Sequence, residues 1–211
     1  MRRFPVVLAA AVAVACRLLA CGQADGGAKD EGGQGGDAPV SAVCKAAAPD
    51  PSFAYPAGPY GTAAGDRIEA FTLADCDGNP VRFADVLGSG DLALVAVAAG
   101  WCAPCAEEAK GMQAGIYEKY CDRGLRVVQV LFEDAAGAPA DGAFCRKWRD
   151  RYGLSFPVLV DPDFVFERYM GGSLSASTPL NLLVDRAAVI RYRAAGPVPS
   201  DFDARIEELL P

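Results

Sequence analysis

The sequence predicts an α/β fold with a mainly parallel central sheet, because strand-like and helix-like segments alternate along the chain. Two continuous apolar runs of strand length, at 92–99 and 125–132, are typical of strands covered on both faces. Helical patterns follow them at 103–122 and 141–152, and a third, short strand is predicted at 156–160. Parallel strands need long crossover connections, which these helices provide, so the sheet should carry helices on its faces.

Antiparallel hairpins are predicted at both ends of this parallel centre. The first joins 68–73 to 81–83 around an Asp-Gly turn, and the second joins 180–184 to 189–192. Ser200 is expected to cap a last helix that ends at Leu210. The sequence therefore predicts a central mixed sheet flanked by helices, with an added N-terminal β-hairpin.

Residues 1–20 have the pattern of a secretory signal sequence. Two arginines precede an apolar run at 4–16, which is shorter than the roughly 20 residues needed to span a bilayer. The segment 18–22 (LLACG) then resembles the lipobox of bacterial lipoproteins, which predicts lipidation of Cys21. Cys16 is a weaker candidate for the lipidated residue, and an ordinary signal peptide with Cys21 incidental is the alternative.

The remaining chain divides into a tether and a folded domain. Residues 21–48 are mostly rich in glycine and polar groups without apolar periodicity, which predicts a flexible tether. Residues 49–211 form the predicted domain. We therefore expect a protein of the cell envelope, anchored to a membrane by its lipid and facing the periplasm or the exterior.

Composition excludes several classes of function. The 211 residues include no histidine, which rules out Ser-His-Asp sites, HExxH metalloproteases and mixed Cys/His zinc sites. A formal net charge of −7 without a basic stripe argues against nucleic acid as a partner. Eight cysteines are many for this length, and they indicate either an oxidising compartment or working thiols.

A Cys-x-x-Cys pair, Cys102 and Cys105, lies where the first buried strand should pass into a helix. Free backbone N–H groups and the helix dipole at that end favour a thiolate at Cys102, which could attack a substrate disulfide. Cys105, one turn further along the helix, could then resolve the mixed disulfide. The alternatives are half of a zinc site, a Cu(I) site and an inert structural disulfide, and no second ligand cluster supports either metal.

These motifs resemble the thioredoxin superfamily. The segment WCAPC follows an apolar strand as in that superfamily, and Thr178-Pro179 before the strand LNLLVD is similar to its cis-proline. The N-terminal hairpin, the pattern WCxPCxxE and the segment FPVLVD more narrowly resemble the TlpA/ResA-like and AhpC/TSA-type redoxins, which are extracytoplasmic thiol-disulfide oxidoreductases. The resemblance covers about residues 62–210.

The resemblance implies a role for each matching residue. Cys102 is the nucleophile and Cys105 the resolving thiol, while Thr178 offers backbone pairing to an extended substrate. Pro179, in a cis peptide bond, shapes the substrate groove, and Trp101 flanks it. No cofactor and no metal are implied. The expected partners are protein disulfide substrates and a membrane or periplasmic thiol donor.

Glu108 is the third catalytic candidate, since ResA-like proteins carry an acidic residue at this position near the thiols. A partly buried carboxylate there would have a raised pKa and could move protons, whereas the alternative is a solvated helix residue. The sequence departs from the family pattern in two places. Lys110 stands where relatives carry a proline, and the segment 97–100 (VAAG) replaces an FWA-type segment.

The sequence thus predicts an envelope-anchored thiol-disulfide oxidoreductase that acts as a reductase of protein disulfides, and two other functions compete with this prediction. Peroxiredoxins need a Pro-x-x-x-Thr/Ser-x-x-Cys motif. Relative to Cys102 its first two positions are Val95 and Ala99, and relative to Cys105 they are Ala98 and Cys102, so both registers fail. The competitor from another class is a non-catalytic lipoprotein that uses the fold as a binding scaffold, with a structural disulfide at 102–105.

Four cysteines remain for structural disulfides, Cys44, Cys76, Cys121 and Cys145, and they allow three pairings. We expect Cys44–Cys76, which would tie the Pro-rich segment 49–61 to the hairpin and leave Cys121 with Cys145. In the resembled fold the helices that carry Cys121 and Cys145 pack on opposite faces of the sheet. A bond between them would need a route around a sheet edge, so a free thiol at Cys145 stays open.

Overall fold

A mixed seven-stranded sheet runs through the residues that the computed structural model describes, which are 44, 47–171 and 177–211. In chain order its strands are β1 (Thr72–Asp75), β2 (Pro80–Arg82), β3 (Leu92–Ala99), β4 (Leu125–Glu133), β5 (Val158–Val160), β6 (Leu180–Asp185) and β7 (Ile190–Ala195). Their spatial order is β2-β1-β5-β4-β3-β6-β7. Strands β3, β4 and β5 run parallel, and the other neighbouring pairs are antiparallel. The predicted mixed sheet with a parallel centre is confirmed.

The helices follow the predicted order but not all of the predicted bounds. They are α1 (Phe83–Gly88), α2 (Ala103–Met112), α3 (Glu118–Tyr120), α4 (Gly142–Tyr152) and α5 (Phe202–Leu209). A π-helical turn, Gln113–Tyr117, joins α2 to α3, and 3₁₀ turns occupy Cys121–Arg123 and Glu167–Met170. The predicted helical segment over 103–122 is therefore confirmed, but a π-helical turn interrupts its α-helical conformation, and the glycines within it weaken the α-helical preference there. Among the described residues no helix is long and apolar enough to cross a membrane.

The last helix begins later than the sequence predicts. Helix α5 starts at Phe202 with Asp201 as its N-cap residue, and no side chain makes a capping hydrogen bond. The backbone N–H of Phe202 instead donates to the carbonyl of Pro199 at 3.1 Å, so a backbone turn leads into the helix. The expected cap by Ser200 is wrong.

Strand β3 lies at the centre of the core and ends at the redox motif. All eight of its residues are buried, as expected of a strand between β4 and β6 with both faces covered. On β4 the buried Gln129 accepts a hydrogen bond of 2.8 Å from the indole N–H of Trp148, which holds α4 on the sheet. A buried polar side chain that is paired in this way positions one helix uniquely.

Cys76 forms a disulfide with Cys145, with the two Cα atoms 5.1 Å apart. The reason lies in the sheet order, because β1 pairs with β5 and so brings the turn after β1 beside α4. The Sγ atoms of Cys76 and Cys145 lie 3.6 Å and 3.4 Å from the same carbonyl oxygen, that of Val158. The expected Cys44–Cys76 pair is therefore wrong, and Cys145 is not a free thiol.

Cys44 forms its disulfide with Cys121, with the two Cα atoms 6.0 Å apart. Its Sγ also lies 3.8 Å from the carbonyl oxygen of Tyr117, at the end of the π-helical turn. The expected Cys121–Cys145 pair is therefore also wrong, because each of these two cysteines is bonded to another partner. Asp122 lies close enough to this pair to suggest a metal site, but the disulfide already uses both sulfur atoms.

Candidate active site

The buried end of β3 delivers Cys102 to the start of α2. Cys102 is the N-cap residue, with extended backbone angles (φ −82°, ψ 103°), and its Sγ accepts a 3.1 Å hydrogen bond from the backbone N–H of Cys105. Pro104 stands in the first turn of the helix, where a missing N–H leaves no hydrogen bond unmade. The N–H of Cys105 is therefore aimed at the sulfur of Cys102, where it would stabilise the negative charge of a thiolate.

Cys102 and Cys105 are joined in a disulfide, with their Cα atoms 5.3 Å apart. Only 3% of Cys102 and 1% of Cys105 is exposed, whereas the neighbouring Trp101 is 51% exposed. The indole N–H of Trp101 donates to a carboxylate oxygen of Glu133 at the end of β4, and its ring packs edge-on against Phe132. The large aromatic surface at the site is thus held in place beside a nearly covered redox pair.

Thr178 and Pro179 bring the start of β6 against the redox pair. The peptide bond between them is cis, as predicted. The Thr178 hydroxyl lies 3.3 Å from the Sγ of Cys105 and donates a 3.2 Å hydrogen bond to the carbonyl of Val97 on β3. The structure therefore gives Thr178 a side-chain contact with the second cysteine, beyond the backbone role that the sequence implies.

Glu108 lies three residues beyond Cys105, on the same side of α2, with its carboxylate partly buried. Burial raises the pKa of Glu108 to about 7, while the nearby Asn181 amide and the backbone N–H of Val198 lower it in part. The Oε2 atom of Glu108 and both polar atoms of the Asn181 amide are buried without a hydrogen-bond partner among the described residues. A carboxyl group in this setting exchanges a proton near neutral pH, which suits proton transfer at thiols.

A cavity of about 340 Å³ adjoins these two polar side chains. Its walls come from α2, the π-helical turn, β3, β6 and the start of α5, and the apolar lining includes Leu94, Met112 and Phe202. The volume is large enough for several water molecules, and the unpaired polar atoms of Glu108 and Asn181 offer them hydrogen bonds. Water in this cavity would connect Glu108 to solvent.

Comparison with known proteins identifies the family of this site. A sequence model of the AhpC/TSA family matches residues 64–193, which is more than half of the chain. The chain belongs to the AhpC/TSA family. Thiol-disulfide oxidoreductase ResA of Geobacillus kaustophilus is 27% identical over 151 residues, which cover 71% of this chain and 79% of that protein.

Two further proteins are similar to this AhpC/TSA member, one in its structure and one in part of its sequence. A thiol:disulfide interchange protein of the thioredoxin family from Chlorobium tepidum superposes with a TM-score of 0.55 at 21% identity, covering 74% of this chain and 99% of that one. A Mycobacterium tuberculosis protein with a peroxiredoxin name is 33% identical over 99 residues, 47% of this chain and 57% of that one. The chain is a TlpA/ResA-like redoxin of the thioredoxin superfamily, as its motifs predict.

The structure brings most of the predicted site residues of this redoxin together. Trp101, Cys102, Cys105, Thr178 and Pro179 meet at the end of β3, and Glu108 follows on α2. Sequence reasoning missed Glu133, which anchors the indole of Trp101, and Asn181, which faces Glu108. A polar residue inside the apolar segment LNLLVD was the available signal for Asn181. The predicted lipidation site, Cys21, lies outside the described residues.

Replacing Glu108 with Gln should remove a titration from the protein. Because the pKa of Glu108 rises from 4.5 to about 7 on folding, the folded protein holds the extra proton within that window. Wild-type stability should therefore fall as pH rises through the window, and this part of the fall should be absent in E108Q. Urea unfolding at about pH 4 and at about pH 8 measures this change in the free energy of unfolding. The pH profile of the rate of disulfide reduction should also lose its inflection near pH 7 in the variant.

Glu107→Gln is the matched control, since Glu107 is the exposed neighbour of Glu108 and pairs with Lys110 on the surface. This control should keep both the pH dependence of stability and the inflection in rate. Identical pH profiles for E108Q and the wild type would show that Glu108 does not titrate near neutrality.

Proposed function

We propose that this thiol-disulfide oxidoreductase acts as a disulfide reductase on proteins of the cell envelope. The observation that supports the proposal is the Cys102–Cys105 disulfide at the N-terminus of α2, with the hydroxyl of Thr178 3.3 Å from Cys105. The N-terminus of a helix stabilises the thiolate of a cysteine placed there, and this thiolate is the form that attacks a disulfide. The cis Thr178-Pro179 segment beside it is suited to align an extended polypeptide.

In the first step the reduced protein attacks its substrate. The thiolate of Cys102 forms a bond to one sulfur of the substrate disulfide, and the bond between the two substrate sulfurs breaks. The departing sulfur leaves as a thiolate and takes a proton from water. The N–H groups at the start of α2 stabilise the Cys102 thiolate before the attack, including the N–H of Cys105.

In the second step Cys105 resolves the mixed disulfide. Cys105 loses its proton through water to Glu108, whose raised pKa of about 7 suits it to accept that proton. The Cys105 thiolate then bonds to the sulfur of Cys102, the bond between Cys102 and the substrate breaks, and the second substrate sulfur leaves as a thiolate that takes a proton from water. The two cysteines have given two electrons to the substrate, and a dithiol donor must return them.

The proposed location follows from the N-terminal sequence. Residues 1–20 would direct export, lipidation of Cys21 would anchor the chain, and 21–48 would tether the domain 49–211 near the membrane. ResA-like sequence and the lipobox pattern at 18–22 support this arrangement. The substrates would then be disulfide-bonded proteins outside the cytoplasm, where such bonds persist.

Trapping with Cys105→Ser tests the proposed function. Without the resolving thiol, mixed disulfides at Cys102 should accumulate on envelope proteins. The variant is expressed in a bacterial envelope, free thiols are blocked with an alkylating reagent, and adducts are separated on non-reducing gels. Reduction should release both partners.

The double variant Cys102→Ser/Cys105→Ser is the control, since it keeps the shape of the motif but lacks both thiols. It should trap nothing. If Cys105→Ser also forms no adduct while a small disulfide reagent cannot oxidise Cys102, the pair is a structural disulfide and the proposed function is wrong.

A further inference from the structure

A groove of about 720 Å³ opens beside the redox pair, on the side facing α4. It runs from Trp101 and Cys102 across the loop after β4 to one face of α4. Gly100 makes this arrangement possible. A Cβ at that position would lie 2.5 Å from the ring of Phe144 and 2.5 Å from the backbone nitrogen of Ala135, so only glycine lets the two walls come together.

One face of α4 forms the long wall of the groove. Phe144, Trp148 and Tyr152 follow one another at four-residue intervals along that face, with Lys147 and Arg151 beside them, and all five line the groove. The aromatic rings contact each other, Phe144 with Trp148 and Trp148 with Tyr152. Because Phe144 is the member that meets Gly100, the cysteines lie at the Phe144 end and the cations lie progressively further away.

Lys147 and Arg151 carry positive charges that the protein itself does not neutralise. Among the described lysines and arginines, only these two and Arg67 have neither an ion pair nor a hydrogen bond from the charged group. Two of the three therefore line one groove, in a chain whose formal net charge is −7. Acidic side chains are plentiful in the chain, yet within the part that the structure describes none forms an ion pair with Lys147 or Arg151.

Asp134 and Asp141 also line the groove, but their carboxylates are engaged by the backbone. Asp134 accepts from the N–H groups of Ala136 and Ala138 at 2.8 Å and 2.9 Å. Asp141 caps α4 and accepts from the N–H of Phe144 at 2.7 Å. Both carboxylates keep their negative charge, but these hydrogen bonds hold them at the loop after β4 and at the start of α4, so the charges further along α4 in the groove are positive.

We propose that this groove binds an acidic, extended segment of the substrate protein, close in sequence to the disulfide that Cys102 attacks. The inference rests on the proposed reductase function and adds the substrate class. Lys147 and Arg151 are four residues apart, so they are separated by about 6 Å along the helix axis. Side chains on one face of an extended strand recur every two residues, or about 6.8 Å. The spacing fits two acidic residues in an Asp/Glu-x-Asp/Glu arrangement.

Matched disulfide peptides test the proposal. Each carries one reporter disulfide and, a few residues away on either side, Glu-x-Glu, Gln-x-Gln or Lys-x-Lys. At low ionic strength, kcat/KM for the Glu peptide should exceed that for the Gln peptide by roughly threefold to tenfold, from two exposed charge pairs. High salt should shrink the ratio. Each rate is divided by the rate for the same peptide with dithiothreitol, which removes effects of charge on the peptide thiol itself.

The variant Lys147→Gln/Arg151→Gln should bring the Glu/Gln ratio to about one. The control Lys110→Gln/Arg205→Gln removes the same charge from surface positions outside the groove and should keep the wild-type ratio. A wild-type ratio near one, a preference for the Lys peptide, or a ratio that the double variant leaves unchanged would overturn the proposal. Failure of the reductase function itself would look different, because no peptide of any charge would be reduced.

Discussion

Cys102→Ser should reduce the rate of disulfide reduction by roughly a thousandfold or more, because it removes the attacking atom of the proposed reaction. A serine hydroxyl at the same N-cap position can still accept the N–H of Cys105, so the start of α2 should persist. Reduction of a disulfide-bonded protein such as insulin, with dithiothreitol as the donor, measures the loss. Circular dichroism of the variant checks that the fold is retained.

Cys105→Ser separates the two steps of the reaction. It keeps the nucleophile, so a single turnover should release one substrate thiol per protein and then stop at the mixed disulfide. Cys102→Ser should release none. If Cys102→Ser retained most of the activity, with Cys105 forming the adduct, the order of the two thiols in the proposed mechanism would be reversed.

The near burial of Cys102 constrains how a substrate reaches it. With 3% of Cys102 exposed and Trp101 half exposed beside it, a substrate must first lie across the aromatic surface. The carboxylate of Glu133 holds that indole in place. The groove along α4 adjoins Cys102 and the hydroxyl of Thr178 adjoins Cys105, so we propose that an extended chain contacts both surfaces. We therefore expect the selection of substrate to depend on the surfaces around the sulfur rather than on the exposure of the sulfur itself.

Much of the fold could be predicted from local pattern alone. The apolar runs that form β3 and β4 are continuous because both faces of each strand are covered. Coverage of both faces requires consecutive apolar residues, and such a run can be recognised directly in the sequence. The redox pair was equally visible, since its chemistry depends on a short spacing at a strand-to-helix junction. Features of this kind depend only on residues that are neighbours along the chain.

The disulfide partners could not be predicted in the same way. Cys76 meets Cys145 because β1 inserts beside β5, and that pairing joins residues 69 apart in sequence. Which cysteines form a disulfide across such a distance in sequence depends on the strand order, and the strand order cannot be inferred from local sequence patterns. Glu133 and Asn181 were missed for a related reason, since each matters only through a side chain on another element.

Removing the Cys76–Cys145 disulfide, with Ala at both positions, should lower the free energy of unfolding by about 4 kcal/mol. The bond closes a loop between residues 69 apart, and for a loop of this length the unfolded chain gains about that much conformational freedom when it is cut. Both cysteines are also buried, at 2% and 0% exposure, where the hairpin meets α4. Urea denaturation should show a lower midpoint, with a change in slope reporting the less restricted unfolded state.

The second structural disulfide provides the comparison. Cys44–Cys121 closes a similar loop, 77 residues in sequence, so an effect set by loop length alone would make the two losses nearly equal. Cys44, however, precedes the segment 47–61, which contains none of the strands or helices, so we expect this segment to detach locally while the sheet stays folded. We therefore expect Cys44→Ala/Cys121→Ala to lower the unfolding free energy by less than the Cys76–Cys145 pair does. Equal losses would show that the N-terminal extension unfolds only together with the sheet.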